Sequence, residues 1–480
     1  MNHSDFISKH KSLLIAPAGY GKTHAIVESL KYADGRQLIL THTHAGVASI
    51  KTKLQNAAMP SAKFHVETIS GYAQKYVLYY YGSKELPPQE ASALYFPTII
   101  AKATVLFRYP ILAKVLRASY SGIFVDEYQD CTTQQHHFIV ALGEILPIRI
   151  LGDPMQGIFD FGGDGSMVDL EDGVQMGDFH ENRFLLNTPW RWKGQNDLLG
   201  EELKSIRGKL EAGETVDLRD YKAIEYRPVD EPAQLFKPGE KYYKDVSQLL
   251  GMRDLLLLHP TSHNINARKK VIKGFKVPIR MIEAIDDKDF YEFAKLFDQL
   301  SSRPVEGVIY TVCGQLLSRT IVDAWITEKG PKKRRNENQA MAEELARTYG
   351  RLGDGNPLAG SCEVLRQIGR LPDMRCYRRE VLVSLCDALT DAAVSGHSVY
   401  EAMLAKRNVV RRVGRRVVGR AIGTTLLTKG LEFETVAILD AHQFSCRKNL
   451  YVALTRACKR LIVFSATSKL SPYNRGSSHA

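Results

Sequence analysis

The sequence predicts an α/β fold of parallel sheets carrying compact, mainly helical insertions. Three observations predict it. Short apolar runs alternate with helix-like stretches through residues 1–190, the pattern of a parallel sheet whose ligands sit at the carboxyl ends of the strands. One run, Leu13–Ala16 in SLLIAPAGYGKTHAIVESL, passes through a glycine-bearing loop straight into a helix pattern. Another, in IFVDEYQD (123–130), ends on the adjacent acids Asp126 and Glu127. Folding alone does not call for that pair, because like charges repel and burying either one unpaired is costly.

The elements follow in order. LILTHTH (38–44) reads as a second strand, succeeded by a helical stretch and a strand signal in HVETISG around 65–71. A helix-rich segment runs to about 119, and IRILGDPMQ (148–156) ends a further strand. Residues 1–190 thus read as one α/β domain with a small helical insertion at about 75–118. A second α/β unit is split in sequence. It starts over 191–283, where RDLLLLHPTSHNINARKKVIKG (253–274) gives strand, loop and helix. A helical insertion fills about 284–405. The unit resumes over 406–480 with strand signals in 417–440 and 460–466. PKKRRNENQ (331–339) and GDGNPLAG (353–360) read as exposed loops.

A chain of 480 residues exceeds what one core normally holds. Its net charge of +12 favours a polyanionic partner. Seven scattered cysteines with no Cys-x-x-Cys pair argue for a reducing, cytoplasmic setting and against a zinc or iron–sulfur site. No signal peptide and no span long enough to cross a membrane are recognisable, so no membrane partner is expected.

APAGYGKTH (16–24) fits the phosphate-loop pattern if Ala16 stands for its first glycine. Gly19 and Gly21 let the backbone turn its N–H groups toward phosphate oxygens. Lys22 is expected to reach the β and γ phosphates, and Thr23 to ligate Mg²⁺ through its hydroxyl. The pattern alone says ATP or GTP hydrolysis. Asp126 is then the metal-associated acid and Glu127 the base that activates water, with Mg²⁺ relieving their repulsion. Asp130 could cap a helix starting near Thr132–Gln134.

With these motifs the chain resembles superfamily 1 DNA helicases of the UvrD/Rep/PcrA type. IFVDEYQD carries most of the likeness. ILGDPMQGIFDFGG (150–163), TPWRW (188–192), LLTKGLEFETV (426–436) and LYVALTRACKRLIV (450–463) resemble the third to sixth motifs, in family order. THTHAGVASIKTKL (41–54) stands where motif Ia belongs, and VETISGYAQKYV (66–77) where the next belongs. The resemblance implies two RecA-like domains and an ATP- and Mg²⁺-dependent motor. It implies that Gln156 senses the γ-phosphate and that Arg191 and Arg456 reach it across an interdomain cleft. Trp190 takes the place of the aromatic that stacks on adenine, and Glu432 that of the acid contacting the sugar. On the DNA side it implies base stacking by Phe161, with Phe159 beside it, and strand contacts from Thr41, Thr43 and His44. Departures are the missing upstream glutamine in MNHSDFISKHK, His42 for an aromatic, Gly162 for an arginine and Leu426 for a histidine.

The implied activity is a DNA translocase or helicase moving 3′ to 5′ on single-stranded or 3′-tailed DNA. Alternatives are a DNA-stimulated ATPase that regulates a partner nuclease, and a DNA-repair helicase. In size and motif layout the chain also resembles the helicase component of the Gabija anti-phage system, which implies an OLD-like ATPase–TOPRIM nuclease as partner. The cluster KRNVVRRVGRRVVGR (406–420), with Arg411, Arg412, Arg415 and Arg416, either tracks phosphates or forms a solvated face.

Overall fold

The computed structural model describes residues 1–87, 91–158, 167–260, 265–283, 288–335, 338–353, 355–413 and 417–473. The chain divides into two compact units. The first comprises Met1–Pro232 with the segment from Thr428 onward, and the second Ala233–Val410 with Val417–Leu427.

The first unit is built on a parallel sheet. In chain order its elements begin with α1 (His3–Ser8), β1 (Lys11–Ile15), α2 (Lys22–Ser29), β2 (Gln37–Thr41), α3 (His44–Asn56) and β3 (Phe64–Thr68). They continue with β4 (Gly122–Val125), β5 (Ile148–Gly152) and β6 (Arg183–Leu185). The strand order is β3-β2-β4-β5-β1-β6, every pairing parallel. Helices cover both faces, so the inner strands β2, β4, β5 and β1 are mainly apolar and buried, while the edge strands β3 and β6 carry polar or exposed residues. Successive side chains still divide between the faces. Leu13, Ile15, Ile123, Val125, Ile148 and Ile150 pack with the helices Ile69–Tyr81, Ser92–Leu106 and Thr133–Gly143. Leu14, Ile39, Val66, Phe124 and Leu151 pack against α1, α2 and α3. Each such Leu or Ile contributes about 1.5–3 kcal/mol by leaving water. The turns after β1, β2, β4 and β5 therefore open on one edge of a rigid sheet, and they carry the GKT, Thr43, acidic and Gln156 segments.

A shorter parallel group lies in the same unit, where Phe433–Ile438 pairs with Ala457–Ser465 and that strand with Ile224–Pro228. The second unit holds its own three parallel strands, Leu255–Leu258, Arg420–Gly423 and Arg280–Met281. It is otherwise helical. The helices from Val305–Leu316 to Val399–Val413 enclose a core that includes Ile309, Leu345, Leu365, Leu389 and Met403. A buried ion pair, Arg378 Nε to Glu283 Oε2 at 2.8 Å, adds a polar contact inside this unit. Among the described residues no helix is long and apolar enough to cross a membrane.

Two local expectations are corrected. Pro357–Gly360 is not loop. It opens the helix Pro357–Ile368, with Pro357 in the first turn, where no N–H is needed, and the Asn356 side chain accepting from Leu358 N. Asp130 does not cap the helix after the acidic motif. Thr132 does, its hydroxyl accepting from Gln135 N while Thr132 N donates to Gln135 Oε1. Gln135 fills the place that glutamate often takes in such a reciprocal pair, and its amide oxygen accepts just as well. Replacing Thr132 by alanine should lower stability by about 1 kcal/mol, measured by denaturant unfolding, and serine should retain most of it. Equal stability of Thr132→Ala and wild type would show that the cap contributes nothing.

Candidate active site

The phosphate-loop segment is shaped by two backbone conformations. Gly19 has φ +79° and Gly21 φ +86°, the left-handed region that glycine enters without strain. Space is as tight as torsion. A Cβ on Gly19 would lie 2.8 Å from the Trp192 ring, and one on Gly21 3.3 Å from Trp190. The segment is pinned by Ala16 N donating to Gly152 O at 2.9 Å and by Arg191 N donating to Gly19 O at 2.9 Å. It feeds α2, whose first turn has neither a side-chain cap nor an acid, leaving its N–H groups and positive dipole end for an anion.

Lys22 starts α2 and points to the end of β4. That strand lies two spacings from β1, roughly 10 Å across the sheet. Its Nζ is 2.6 Å from Glu127 Oε2 and 3.5 Å from Asp126 Oδ1. Burial would lower its pKa, but Glu127 and Asp126 outweigh that and raise it. Burial would raise Glu127, yet Lys22 and then Lys429 hold it down at about 2. Asp126 goes the other way: burial raises it, and Lys22 opposes without cancelling. Glu127 has φ +57°, unusual for a residue with a side chain and a local strain of the kind found at functional sites.

Asp153 and four further residues at this site were not singled out from sequence. Gln129 donates to Glu127 Oε2 and accepts from Asp153 N at 3.0 Å, bridging the turns after β4 and β5. Lys429 Nζ reaches Asp130 Oδ1 and donates to Gln156 O at 2.6 Å. Burial moves both members of that pair toward neutrality, Asp130 up to about 6 and Lys429 down. Arg207, on the helix Asp197–Ala212, and Tyr451 meet Asp153 and Ala18. Of these, Gln129, Lys429 and Tyr451 lie inside the motifs above; Arg207 carried no local signal at all.

The remaining expected residues fall into groups. Gln156 is buried and donates through Nε2 to Asp153 Oδ2 at 2.8 Å. Arg191 pairs with Glu432 at 2.7 Å and donates to Thr455 O. Arg456 is buried, donating to Val452 O, Leu431 O and the Thr455 hydroxyl, and burial lowers its pKa to about 10. Trp190 is half exposed beside Gly21, with Lys193 Nζ 4.3 Å from its ring centre, whereas Trp192 is buried and donates to Ala457 O. Thr23 sits half-buried in the first turn of α2. Thr41 is buried at the end of β2, Thr43 caps α3 by accepting from Gly46 N at 3.0 Å, and His44 begins that helix. His42 lies 3.3 Å from Cys131 Sγ, and burial pushes its pKa down to about 4, so it is neutral at pH 7. Phe159, Phe161 and Gly162 lie outside the described residues, as do the side chains of Arg411, Arg412, Arg415 and Arg416.

Among the described residues no group of three or more His, Cys, Asp or Glu side chains could hold a metal ion by itself. The pair Asp126 and Glu127 beside Lys22 and Thr23 suits a magnesium ion that arrives with phosphate ligands of its own, the usual manner for that cation.

Residues 85–166, which include the paired acids, Gln129, Asp153 and Gln156, match the UvrD/REP helicase N-terminal domain. That match is a distant relation of this segment to UvrD/Rep-like helicases. No curated protein matches the chain. Solved structures it resembles include the PRRSV helicase, at 11% identity and a TM-score of 0.33 over 99% of this chain and 56% of that one. Two structures of the arterivirus nonstructural protein 10 helicase give 10% identity. The complex with DNA has a TM-score of 0.33 over 99% and 64% of the two chains, and the other structure 0.32 over 99% and 63%. The chain thus spans less than two thirds of the length of each of these proteins.

The lysine–carboxylate geometry has a pH signature. Glu127 has its folded pKa below the ordinary 4.5. Its pairing therefore contributes stability above that pH, lost as the pH falls toward 2. Lys22→Met should lower stability at neutral pH by roughly 1–2 kcal/mol, a discounted figure because Glu127 is partly solvated. Thermal unfolding followed from neutral pH into the acid range should show the gap to wild type narrowing below 4.5, the ordinary Glu127 pKa. A gap that widens there would contradict the assignment.

Proposed function

We propose that the chain is an ATP- and Mg²⁺-dependent DNA motor of the UvrD-like superfamily 1 type, moving 3′ to 5′ on single-stranded DNA. The observation that carries this reading is Lys22 held between Asp126 and Glu127 beside the Gly19–Gly21 turn. A parallel sheet with that constellation at its carboxyl edge suits a nucleoside triphosphate. The second set of parallel strands is read as the second RecA-like domain of such a motor. The net charge of +12 fits a nucleic-acid partner.

Magnesium–ATP supplies the transferable phosphoryl group and a divalent charge. Lys22 binds phosphate oxygens in place of its carboxylate partners. Asp126 and the Thr23 hydroxyl are the residues to hold the metal. Glu127 orients the attacking water and takes its proton. With Lys22 beside it, Glu127 is too weakly basic for that step, its pKa being about 2. Once Lys22 turns to phosphate, the nearest cation leaves Glu127 and frees its Oε2 for the attacking water. Arg191 and Arg456 supply positive charge for the phosphoryl group as negative charge develops on it. Trp190 presents an exposed ring beside Gly21 for the base. A nuclease partner and a role in phage defence are the reading that the Gabija resemblance adds.

Lys22→Ala should abolish nucleotide binding and turnover. Glu127→Gln should bind nucleotide yet release phosphate at least about a hundredfold more slowly, the scale of general base catalysis. Phosphate release measured with single-stranded DNA checks both, and near wild-type release by Glu127→Gln would remove Glu127 as the base. ATP-driven displacement should occur on a duplex with a 3′ tail and poorly with a 5′ tail. DNA-stimulated hydrolysis without displacement on either substrate would replace the motor by the regulatory ATPase.

A further inference from the structure

Asp153 is the most completely enclosed carboxylate next to the phosphate loop. Its side chain is 0% exposed. Oδ2 accepts from Ala18 N at 3.0 Å and from Gln156 Nε2 at 2.8 Å. Oδ1 accepts from Met155 N at 3.1 Å and from Arg207 at 2.7 Å. Arg207 is itself only 9% exposed. The same guanidinium nitrogen donates to the Tyr451 hydroxyl at 3.0 Å, and that hydroxyl also accepts from Ala18 N at 3.2 Å. Four segments distant in sequence thus meet at one backbone N–H, that of the residue before Gly19.

The arrangement carries an electrostatic problem. A buried carboxylate bonded to the phosphate loop places negative charge beside the position where a polyphosphate must bind. Arg207 is the cation hydrogen-bonded to that carboxylate, through one terminal nitrogen; the other lies 2.8 Å from Glu211, whose 46% exposed side chain is balanced largely by water. We propose that Arg207 is a positioning residue for nucleotide binding. It neutralises Asp153, so that this side chain can hold the loop through Ala18 N and hold Gln156 without repelling the incoming phosphates. The inference rests on the ATP-site reading above and adds to it a residue that lies outside every quoted motif.

Three variants test it: Arg207→Gln, Asp153→Asn and the double variant. Magnesium–ADP binding by calorimetry, phosphate release and thermal unfolding are measured on each full chain. Arg207→Gln should weaken ADP binding by about tenfold or more, the worth of a charge-assisted contact, and raise the ATP KM more than it lowers kcat. Adding Asp153→Asn should recover most of the lost affinity. The amide oxygen can still accept from Ala18 N, while the unbalanced charge is gone. A merely structural role for Arg207 would make ADP affinity follow the melting temperature across the three variants, whereas the charge argument expects Arg207→Gln to lose affinity even well below its melting temperature, with the KM raised more than kcat is lowered. Wild-type affinity in Arg207→Gln, or a double variant no better than the single one, overturns the proposal. If Arg207→Gln alone does not fold, a folded double variant binding ADP within a few fold of wild type supports the charge argument, and one that folds but binds weakly overturns it. Failure of the wild-type chain to bind ADP would instead overturn the ATP-site reading, and this proposal with it.

Discussion

Three acids crowd the turn after β4, and the rest of the site depends on how their charge is balanced. Asp126 and Asp130 are buried and Glu127 partly so, within one short segment. Water screens them poorly, and their mutual repulsion would open the turn. Two lysines prevent this, delivered from far apart in the chain: Lys22 from the first turn of α2, and Lys429 from the segment that returns to the first unit. Each is fixed by an element with its own packing, α2 by the face it shares with α1 and α3, and Lys429 by its bond to the Gln156 carbonyl.

The loop side shows the complementary constraint. A glycine turn can bend toward phosphate, but glycine also loses the most freedom on folding. Here the freedom is removed by neighbours rather than by side chains of its own. Trp192 closes the space over Gly19, the Gly19 carbonyl is held by Arg191 N, and Ala18 N is shared between Asp153 and Tyr451. Such preorganisation places N–H groups for a ligand before it arrives. It also accounts for the two tryptophans of TPWRW. Trp192 is a wall and Trp190 an exposed surface, a distinction that turns on which ring faces Gly19.

Much of this was legible in the sequence because it is local. A strand followed by GKT and a helix, or an apolar run ending on two acids, states its geometry within a short stretch of chain. The strands Lys11–Ile15, Gly122–Val125 and Ile148–Gly152 follow, within a residue or two, from apolar runs that a covered sheet requires. Partners such as Arg207, Lys429 and Gln129 were not legible in the same way. An arginine in the middle of an amphipathic helix looks like any solvated arginine until the fold shows what it faces. Asp130 illustrates the limit from the other side: an acid just before a helix usually caps it, but Thr132 stood better placed and a distant lysine claimed the carboxylate. GDGNPLAG reads as loop, yet a helix opens at Pro357, because the residue that breaks a helix interior fits its first turn.

The returning segment has a consequence for how the chain is made. Ala18 and Tyr451 are separated by 433 positions, and Arg191 and Glu432 by 241. Between them in sequence lies nearly the whole second unit, with its own helical core. A chain emerging from the ribosome presents the glycine turn and the acids early, yet Lys429 follows Asp130 by 299 positions, and Glu432, Tyr451 and Arg456 come later still. Contacts of such long range close late, after the entropy of a very large loop has been overcome. Until then the acids lack one of their two cations and the loop lacks one of its anchors. The residues before Pro232 can build the first unit's sheet early, whereas the charge balance at Asp130 and the second acceptor of Ala18 N are completed only after the second unit has been made.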